Sequence, residues 1–250
     1  MTFWFESLVE RFPATDVEGM DSLASLEQRF DRKYIVSEEE ANNFFSMVSG
    51  SLTALEIAGK RSFAYESWYF DTTDLESFRA TAHRRRRRWK VRTRTYLDAQ
   101  KSTVEVKLRD QRGQSVKRRL PDDFSLDPNL TIKGAQFVNE VLGREGFAAT
   151  LTSTLQTSYE RISVVDVENG VRLTADLGVK CQAVVGKEAL IKGVVIETKS
   201  PRGPGPIDRA LWRRGHRPVR LSKYATGMAA VHNELSRNKW HQTINQHFTS

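Results

Sequence analysis

The chain has 250 residues, 39% of them hydrophobic, and 39 Lys and Arg against 31 Asp and Glu give a formal net charge of +8. That content builds one sizeable core or at most two small ones. The single cysteine, Cys181, excludes a disulfide within the chain, and no run approaches the ~20 apolar residues of a membrane span. The basic balance points to a polyanionic partner, whether nucleic acid, an anionic membrane or a phosphate-rich small molecule, and composition does not choose among them.

The N-terminus lacks the basic start and apolar stretch of a signal peptide. Phe3, Trp4, Phe5, Leu8, Val9 and Phe12 recur at helical spacing, which predicts a helix packed on the domain. Residues 26–36 read as a strand. Ser37 with Glu40 forms a capping box for a helix whose apolar stripe is Ala41, Phe44, Phe45 and Val48, with Gly50 as its stop. The aromatic run 63–70 reads as a strand, and Thr73 with Glu76 as a second capping box opening a short helix. Strands are expected at 89–96, 103–108 and 115–120, the last two flanking a hairpin loop at 109–114. A helix over 134–142 closes at Gly143, and four strands follow at 156–165, 170–177, 179–185 and 190–199. The loop Ser200 to Pro206 lacks the Gly-Lys-Ser/Thr ending of a phosphate-cradling P-loop. A short helix at 207–214 and another capped by Ser222 lead to a polar tail expected to fray. Eight or more short strands with scattered helices argue for an antiparallel sheet, closed or nearly so, in an α+β chain. The domain reading is an N-terminal helical segment at 1–25, one domain at 26–235 and a polar tail at 236–250.

Charges fall on every second residue inside these strands: Arg29, Asp31 and Lys33; Arg92 and Arg94; Glu105 and Lys107; Lys117 and Arg119; Tyr159 and Arg161; Arg172 and Asp176; Glu197 and Lys199. Residues two apart in a strand share a face. Any one pair reads as a solvated sheet face. In 103–108, however, Val104, Val106 and Leu108 form the core side, and 194–199 is otherwise apolar, so the charges gather opposite an apolar face. A cationic interior is costly unless an anion neutralises it, and a chain of phosphates is such an anion. Arg suits paired oxygens and Lys acts as a point charge. Asp31, Glu105, Asp176 and Glu197 are either salt-bridge partners or ligands for a hard divalent cation. The five histidines show no ligand spacing, and Cys181 reads as a small core residue.

Several segments, in this order, resemble the polyphosphate polymerase domain of the vacuolar transporter chaperone (VTC) family, within the CYTH or triphosphate tunnel metalloenzyme superfamily. They are Arg29-Phe30-Asp31-Arg32-Lys33-Tyr34, Trp68-Tyr69-Phe70-Asp71-Thr72, Trp89 to Tyr96, Val104-Glu105-Val106-Lys107 and Lys117-Arg118-Arg119. Tyr159-Glu160-Arg161, Val171 to Asp176, Ile196-Glu197-Thr198-Lys199 and Leu221-Ser222-Lys223-Tyr224 complete the set. The resemblance implies an eight-stranded antiparallel β-barrel tunnel with flanking helices. It implies transfer of the γ-phosphate of ATP to a growing polyphosphate, with Mn2+ or Mg2+. Lys33, Arg92, Arg94, Lys107, Arg161 and Arg172 would then grip the reacting phosphates and Glu197 would hold the metal. Arg29, Lys117, Arg119, Tyr159 and Lys199 would contact substrate, and Arg220, Ser222 and Lys223 would act at the tunnel mouth. The superfamily's triphosphatases begin with Glu-x-Glu-x-Lys, and Arg29-x-Asp31-x-Lys33 stands here instead, which disfavours a metal-hydroxide hydrolase. Eukaryotic relatives carry an SPX domain and membrane helices, so a cytoplasmic chain at the inner face of a membrane, with a separate membrane-protein partner, is expected.

The nearest alternative is a triphosphatase on the same scaffold, with water as acceptor. A nucleic-acid-binding module rests on the run His83 to Lys90, five arginines beside a tryptophan, which also reads as a solvated loop or a charged tunnel mouth. A polyphosphate-binding protein without catalysis is the third reading. Oligomeric state is not legible.

Overall fold

The structure, a computed structural model, describes residues 3–23, 30–110, 114–201 and 203–249. It is an α+β chain built on a large, predominantly antiparallel sheet with flanking helices, as expected. Among the described residues it has twelve strands, of which four are two to four residues long; the remaining eight run seven residues or more. The chain folds into two compact units, each assembled from three segments, with strands β8 (Leu151–Asp166) and β9 (Val171–Ala183) contributing to both.

The first unit comprises Met1–Phe63, Tyr159–Val179 and Ile191–Arg220. Its central strand, β11 (Val194–Ser200), pairs antiparallel with β2 (Phe30–Val36) on one side and β9 on the other. Alternation places Tyr34, Val36, Leu173, Ala175, Val194 and Ile196 on one face, all buried. Helices α1 (Phe3–Val9), α3 (Glu38–Val48) and α6 (Pro206–Arg213) cover that face with Phe5, Leu8, Phe44, Phe45, Ile207 and Leu211. The helix α3 begins where the sequence says, because Ser37 Oγ accepts from the Glu40 N–H at 3.1 Å. Short β1 (Ala14–Thr15) lies parallel to β3 (Leu52–Leu55), which pairs with β8, and α2 (Val17–Leu23) intervenes between β1 and β2.

The second unit comprises Ala64–Ser158, Lys180–Leu190 and Leu221–Ser250. Strands β4 (Ser62–Thr72), β5 (Arg88–Tyr96), β6 (Lys101–Arg109) and β7 (Ser115–Asp122) form a continuous antiparallel meander. Phe70, Val91, Val104 and Val106 face α5 (Ile132–Leu142), whose start is fixed by Thr131 Oγ1 accepting from Gly134 N–H at 2.9 Å. A further helix, α7 (Lys223–Val231), is buried along most of its length. Gly227 makes this possible, since a Cβ there would stand 2.8 Å from Cys181 Sγ and 2.9 Å from Leu155 Cδ2. Cys181 is a buried core thiol, its pKa pushed up to about 12 by that burial.

Four details depart from the sequence reading. The runs 170–177 and 179–185 are one strand, β9, which passes through Gly178 with φ +62 in the region glycine tolerates. The run 190–199 is instead two strands, β10 (Glu188–Ile191) and β11, divided at Gly193. There φ is +91 and a Cβ would meet Val36 O at 2.1 Å. The short helix α4 (Glu76–Ala82) is not capped by Thr73: Thr72 Oγ1 accepts from Glu76 N–H, and the Asp71 carboxylate accepts from Ser77 and Phe78 N–H. The expected frayed tail holds Trp240, 2% exposed against Phe78, then α8 (His241–His247) and β12 (Phe248–Thr249). Residues 26–29 of the first predicted strand and 111–113 of the hairpin loop lie outside the described residues.

Candidate phosphate-binding faces

In the second unit, the face opposite the α5 core is cationic. The register aligns Tyr69, Arg92, Glu105 and Arg119 in one row across β4 to β7. The next row is Lys90, Lys107 and Lys117, three lysines directly opposite one another. Like charges in register destabilise a sheet, so such a row needs an anion beside it. Within this face that anion is Glu105, only 2% exposed. Arg92 Nε donates to its Oε2 at 2.6 Å, and Lys117 Nζ to its Oε1 at 2.5 Å. Arg119 Nε stands 3.4 Å and Arg94 Nη1 4.0 Å from Oε1. Burial alone would raise the Glu105 pKa, but Arg92, Arg94 and Lys117 outweigh it and hold the carboxyl well below the usual range. Lys117 is depressed to about 6, by burial first and by Arg92 next, with Glu105 only partly compensating. One carboxylate thus serves three arginines and a lysine, and the lysine holds its proton least tightly.

Neighbouring groups brace this face through hydrogen bonds and a ring stack. Arg92 Nη1 donates to Tyr69 Oη at 2.8 Å. The Tyr69 ring stacks on Tyr224 with centroids 5.2 Å apart, and the Tyr224 hydroxyl donates to Asp71. Burial pushes both the Asp71 carboxyl and the Tyr224 phenol upward. Lys90 Nζ donates to Ser222 Oγ at 2.9 Å, and Ser222 caps α7. Lys223 follows at the first position of that helix and is half-buried.

In the first unit, the face opposite the α1–α3–α6 core alternates charge sign. Lys33, Glu197 and Thr174 align across β2, β11 and β9, and Asp31, Lys199 and Arg172 form the next row. Glu197 Oε1 lies 3.3 Å from Lys33 Nζ and 3.9 Å from Lys199 Nζ. Arg161 on β8 engages Asp176 on β9 bidentately, at 2.5 Å to Oδ1 and 2.8 Å to Oδ2, and its guanidinium lies 5.1 Å from the Tyr159 ring. Burial works against the Arg161 charge, but Asp176 overcomes it and raises the pKa. Behind this face, Asp208 is fully buried and accepts from Tyr34 Oη and Thr198 Oγ1, each at 2.7 Å, and pairs with Arg32 at 3.4 Å. That network anchors α6 to the strands carrying Lys33 and Glu197.

The candidates therefore fall into two sets. Arg92, Arg94, Lys107, Lys117, Arg119, Ser222 and Lys223 belong to the second unit, and Lys33, Tyr159, Arg161, Arg172, Glu197, Lys199 and Arg220 to the first. Arg220 is exposed, and Arg29 lies outside the described residues. Sequence reasoning gave no site role to Lys90 or Tyr69, and left Glu105 as either a salt-bridge partner or a metal ligand; it is a salt-bridge hub. Lys90 was legible, since it shares strand parity with Arg92 and Arg94. The Tyr69 contact was not, because it depends on cross-strand register. Among the described residues no three His, Cys, Asp or Glu side chains gather into a metal-binding cluster. Glu197, one oxygen donor between two lysines, fits a hard divalent cation only where phosphate oxygens complete its shell.

Fold and faces together define an antiparallel-sheet protein whose cations outnumber their carboxylates on one of two polar faces. The family is given by sequence: the VTC domain model matches residues 28–232, and the chain belongs to that family. No curated protein gives a match. Among solved structures the chain is similar to a putative adenylyl cyclase from Hippeastrum, described as having a dominant triphosphatase activity. That likeness has a TM-score of 0.52 and 15% identity, covering 81% of this chain and 96% of that one. A putative adenylate cyclase from Vibrio parahaemolyticus is matched over 82% of this chain and 99% of its own, with TM-score 0.48 and 12% identity. Among the described residues no helix is long and apolar enough to cross a membrane.

Proposed function

We propose that this chain is a metal-dependent polyphosphate polymerase that transfers the γ-phosphate of ATP to the end of a polyphosphate chain. The observation that carries the reading is the Glu105 face, where one buried carboxylate serves Arg92, Arg94, Lys117 and Arg119. Excess cation held in place is the requirement for gripping successive phosphates. In the transfer, a terminal oxygen of the acceptor chain bonds to the γ-phosphorus as its bond to the β-bridging oxygen breaks, and ADP leaves. Such a reaction needs alignment and charge neutralisation more than covalent help from the protein. Arg92, Arg94 and Lys117 would hold phosphate oxygens, with Lys107 and Arg119 toward solvent. In the first unit Lys33, Arg161, Arg172 and Lys199 would do the same, and Glu197 would hold Mn2+ or Mg2+ together with phosphate. The bound ion would offset charge on the transferring phosphoryl group.

The likeness to a protein described as a triphosphatase favours a second reading, in which water is the acceptor. Incubation with ATP and manganese, with products resolved by chain length, separates the two. A ladder of lengthening phosphate chains with ADP is expected. Orthophosphate and ADP without a ladder would leave only the hydrolase.

A further inference from the structure

The run of five arginines at 84–88 follows α4 and leads into β5, and Arg84 to Arg87 are all exposed. Arg88 opens β5 with the same parity as Lys90, Arg92 and Arg94. Its register partner on β6 is Arg109, followed on that face by Lys107 and Glu105. Exposure falls along this line: Arg88, Lys90 and Arg92 are half-buried and Arg94 is buried. At ~3.3 Å per residue the six steps from Arg94 to Arg88 span roughly 20 Å, longer than the phosphates of a nucleoside triphosphate. A triphosphate held at Arg92 and Arg94 therefore leaves the outer cations unused.

We propose that Arg84 to Arg88, with Arg109, form the outer end of a continuous cationic track beginning at Arg94, and that this end grips the distal part of a long polyphosphate. The inference rests on the polyphosphate reading above and extends it to chain length.

Four further observations support it. Arg88 has its pKa lowered by burial and by Arg109, a crowding that an anion would relieve. Among the described residues no carboxylate pairs with Arg84, Arg85, Arg86 or Arg88. Trp89, the one aromatic in the run that could stack a base, is turned to the opposite face, 7% exposed against Phe147, with its indole N–H on Glu76. A basic strip without a free aromatic surface fits a bare phosphate chain better than a single-stranded nucleic acid. The α4 residues Ser77, Phe78, Ala80 and Thr81 are buried, so this helix offers no apolar edge to a bilayer.

The test compares the full chain with the variant Arg84→Asn/Arg85→Gln/Arg86→Gln, using calorimetry at ~0.15 M salt with tripolyphosphate and with a long-chain polyphosphate. Asn is chosen at 84 because the backbone there is left-handed, φ +55. Wild type is expected to bind the long chain more tightly, per molecule, than tripolyphosphate. The triple variant should lose about tenfold or more of long-chain affinity, with a shallower salt dependence, while tripolyphosphate affinity and melting temperature stay unchanged. Unchanged long-chain affinity in a folded variant that still binds tripolyphosphate overturns the track. Failure of wild type to bind tripolyphosphate overturns the underlying phosphate reading instead. A DNA duplex or vesicles containing phosphatidylserine that bind wild type as tightly as the long polyphosphate, and lose as much in the variant, would make the run a general polyanion patch and also overturn it.

Discussion

The two polar faces use the same residue types to opposite electrostatic ends. On the β2–β11–β9 face, Lys33, Lys199 and Arg161 each meet a carboxylate, Glu197 or Asp176, and charge is nearly balanced. On the β5–β6–β7 face, Glu105 is shared by Arg92, Arg94, Lys117 and Arg119, with Lys90 and Lys107 in register beside Lys117. A balanced face can hold its geometry alone and spare a carboxylate for a cation. An overcharged one is incomplete until an anion arrives. On the proposed reading Glu197 would hold the metal and the Glu105 face would supply the larger share of the phosphate affinity, and each role can be broken separately.

The largest effect is expected at Glu197. Glu197→Gln keeps the shape and one acceptor oxygen but removes the charge that attracts a divalent ion. Metal-dependent turnover should fall by about two orders of magnitude or more, the scale of losing one transition-state contact. Metal-free tripolyphosphate binding should survive. Arg94→Ala should do the reverse, weakening phosphate binding itself. Near-normal metal-dependent turnover in Glu197→Gln would leave the carboxylate as a salt-bridge partner of Lys33 and move the search to Asp31 and Asp176.

Next in size is the response of the overcharged face to losing its hub. Glu105→Gln leaves Arg92, Arg94 and Arg119 without this counter-charge and Lys117 without its acceptor, and breaking a fully buried pair costs about 3–5 kcal/mol. Arg119 is 61% exposed at its side chain and Lys117 26%, so solvent screens part of this. We expect about 2 kcal/mol, a fall in melting temperature of roughly 4–8 °C for a chain of this size. Tripolyphosphate should then raise the melting temperature of the variant by more than that of wild type. A variant that tripolyphosphate stabilises less than wild type would contradict the anion-binding role of this face.

The sequence made both polar faces legible, but not the contrast between them. Period-two charge in 92–94, 105–107 and 117–119 located the overcharged face, because strand parity is a local property. That Glu105 is shared by four basic side chains was hidden, since it depends on β5, β6 and β7 meeting in a register that a single strand does not encode. The same holds for Asp208, an ordinary acid near a helix start that becomes a buried acceptor for Tyr34 and Thr198 only after folding. The division at Gly193 was missed because an apolar run looks continuous, whereas the close approach of Val36 O demands a residue without Cβ.

The smallest effect is a slope in pH, and it tests whether the Glu105 face is overcharged when empty. The Lys117 pKa is about 6 in the folded chain, against 10.5 for the free side chain. Between those values the unfolded chain binds a proton that the folded chain does not. Stability should therefore rise with pH across that window, by at most about 1.4 kcal/mol per unit. Phosphate beside Lys117 restores its charge, so binding takes up a proton and affinity falls as pH climbs from 6 toward 10. The phosphate chain's own ionisation acts in the opposite sense, strengthening binding as pH rises. A difference between variants removes it. Lys117→Met should abolish the Lys117 contribution, and Lys117→Arg, charged throughout, should bind more tightly than wild type above pH 8, with the gap closing near pH 6. Calorimetry of tripolyphosphate in two buffers of different ionisation enthalpy reads the proton count directly. If wild type and Lys117→Arg take up the same number of protons at pH 8, the lysine is already charged in the empty face, and the four cations on Glu105 are no more crowded than the matched pairs on β11.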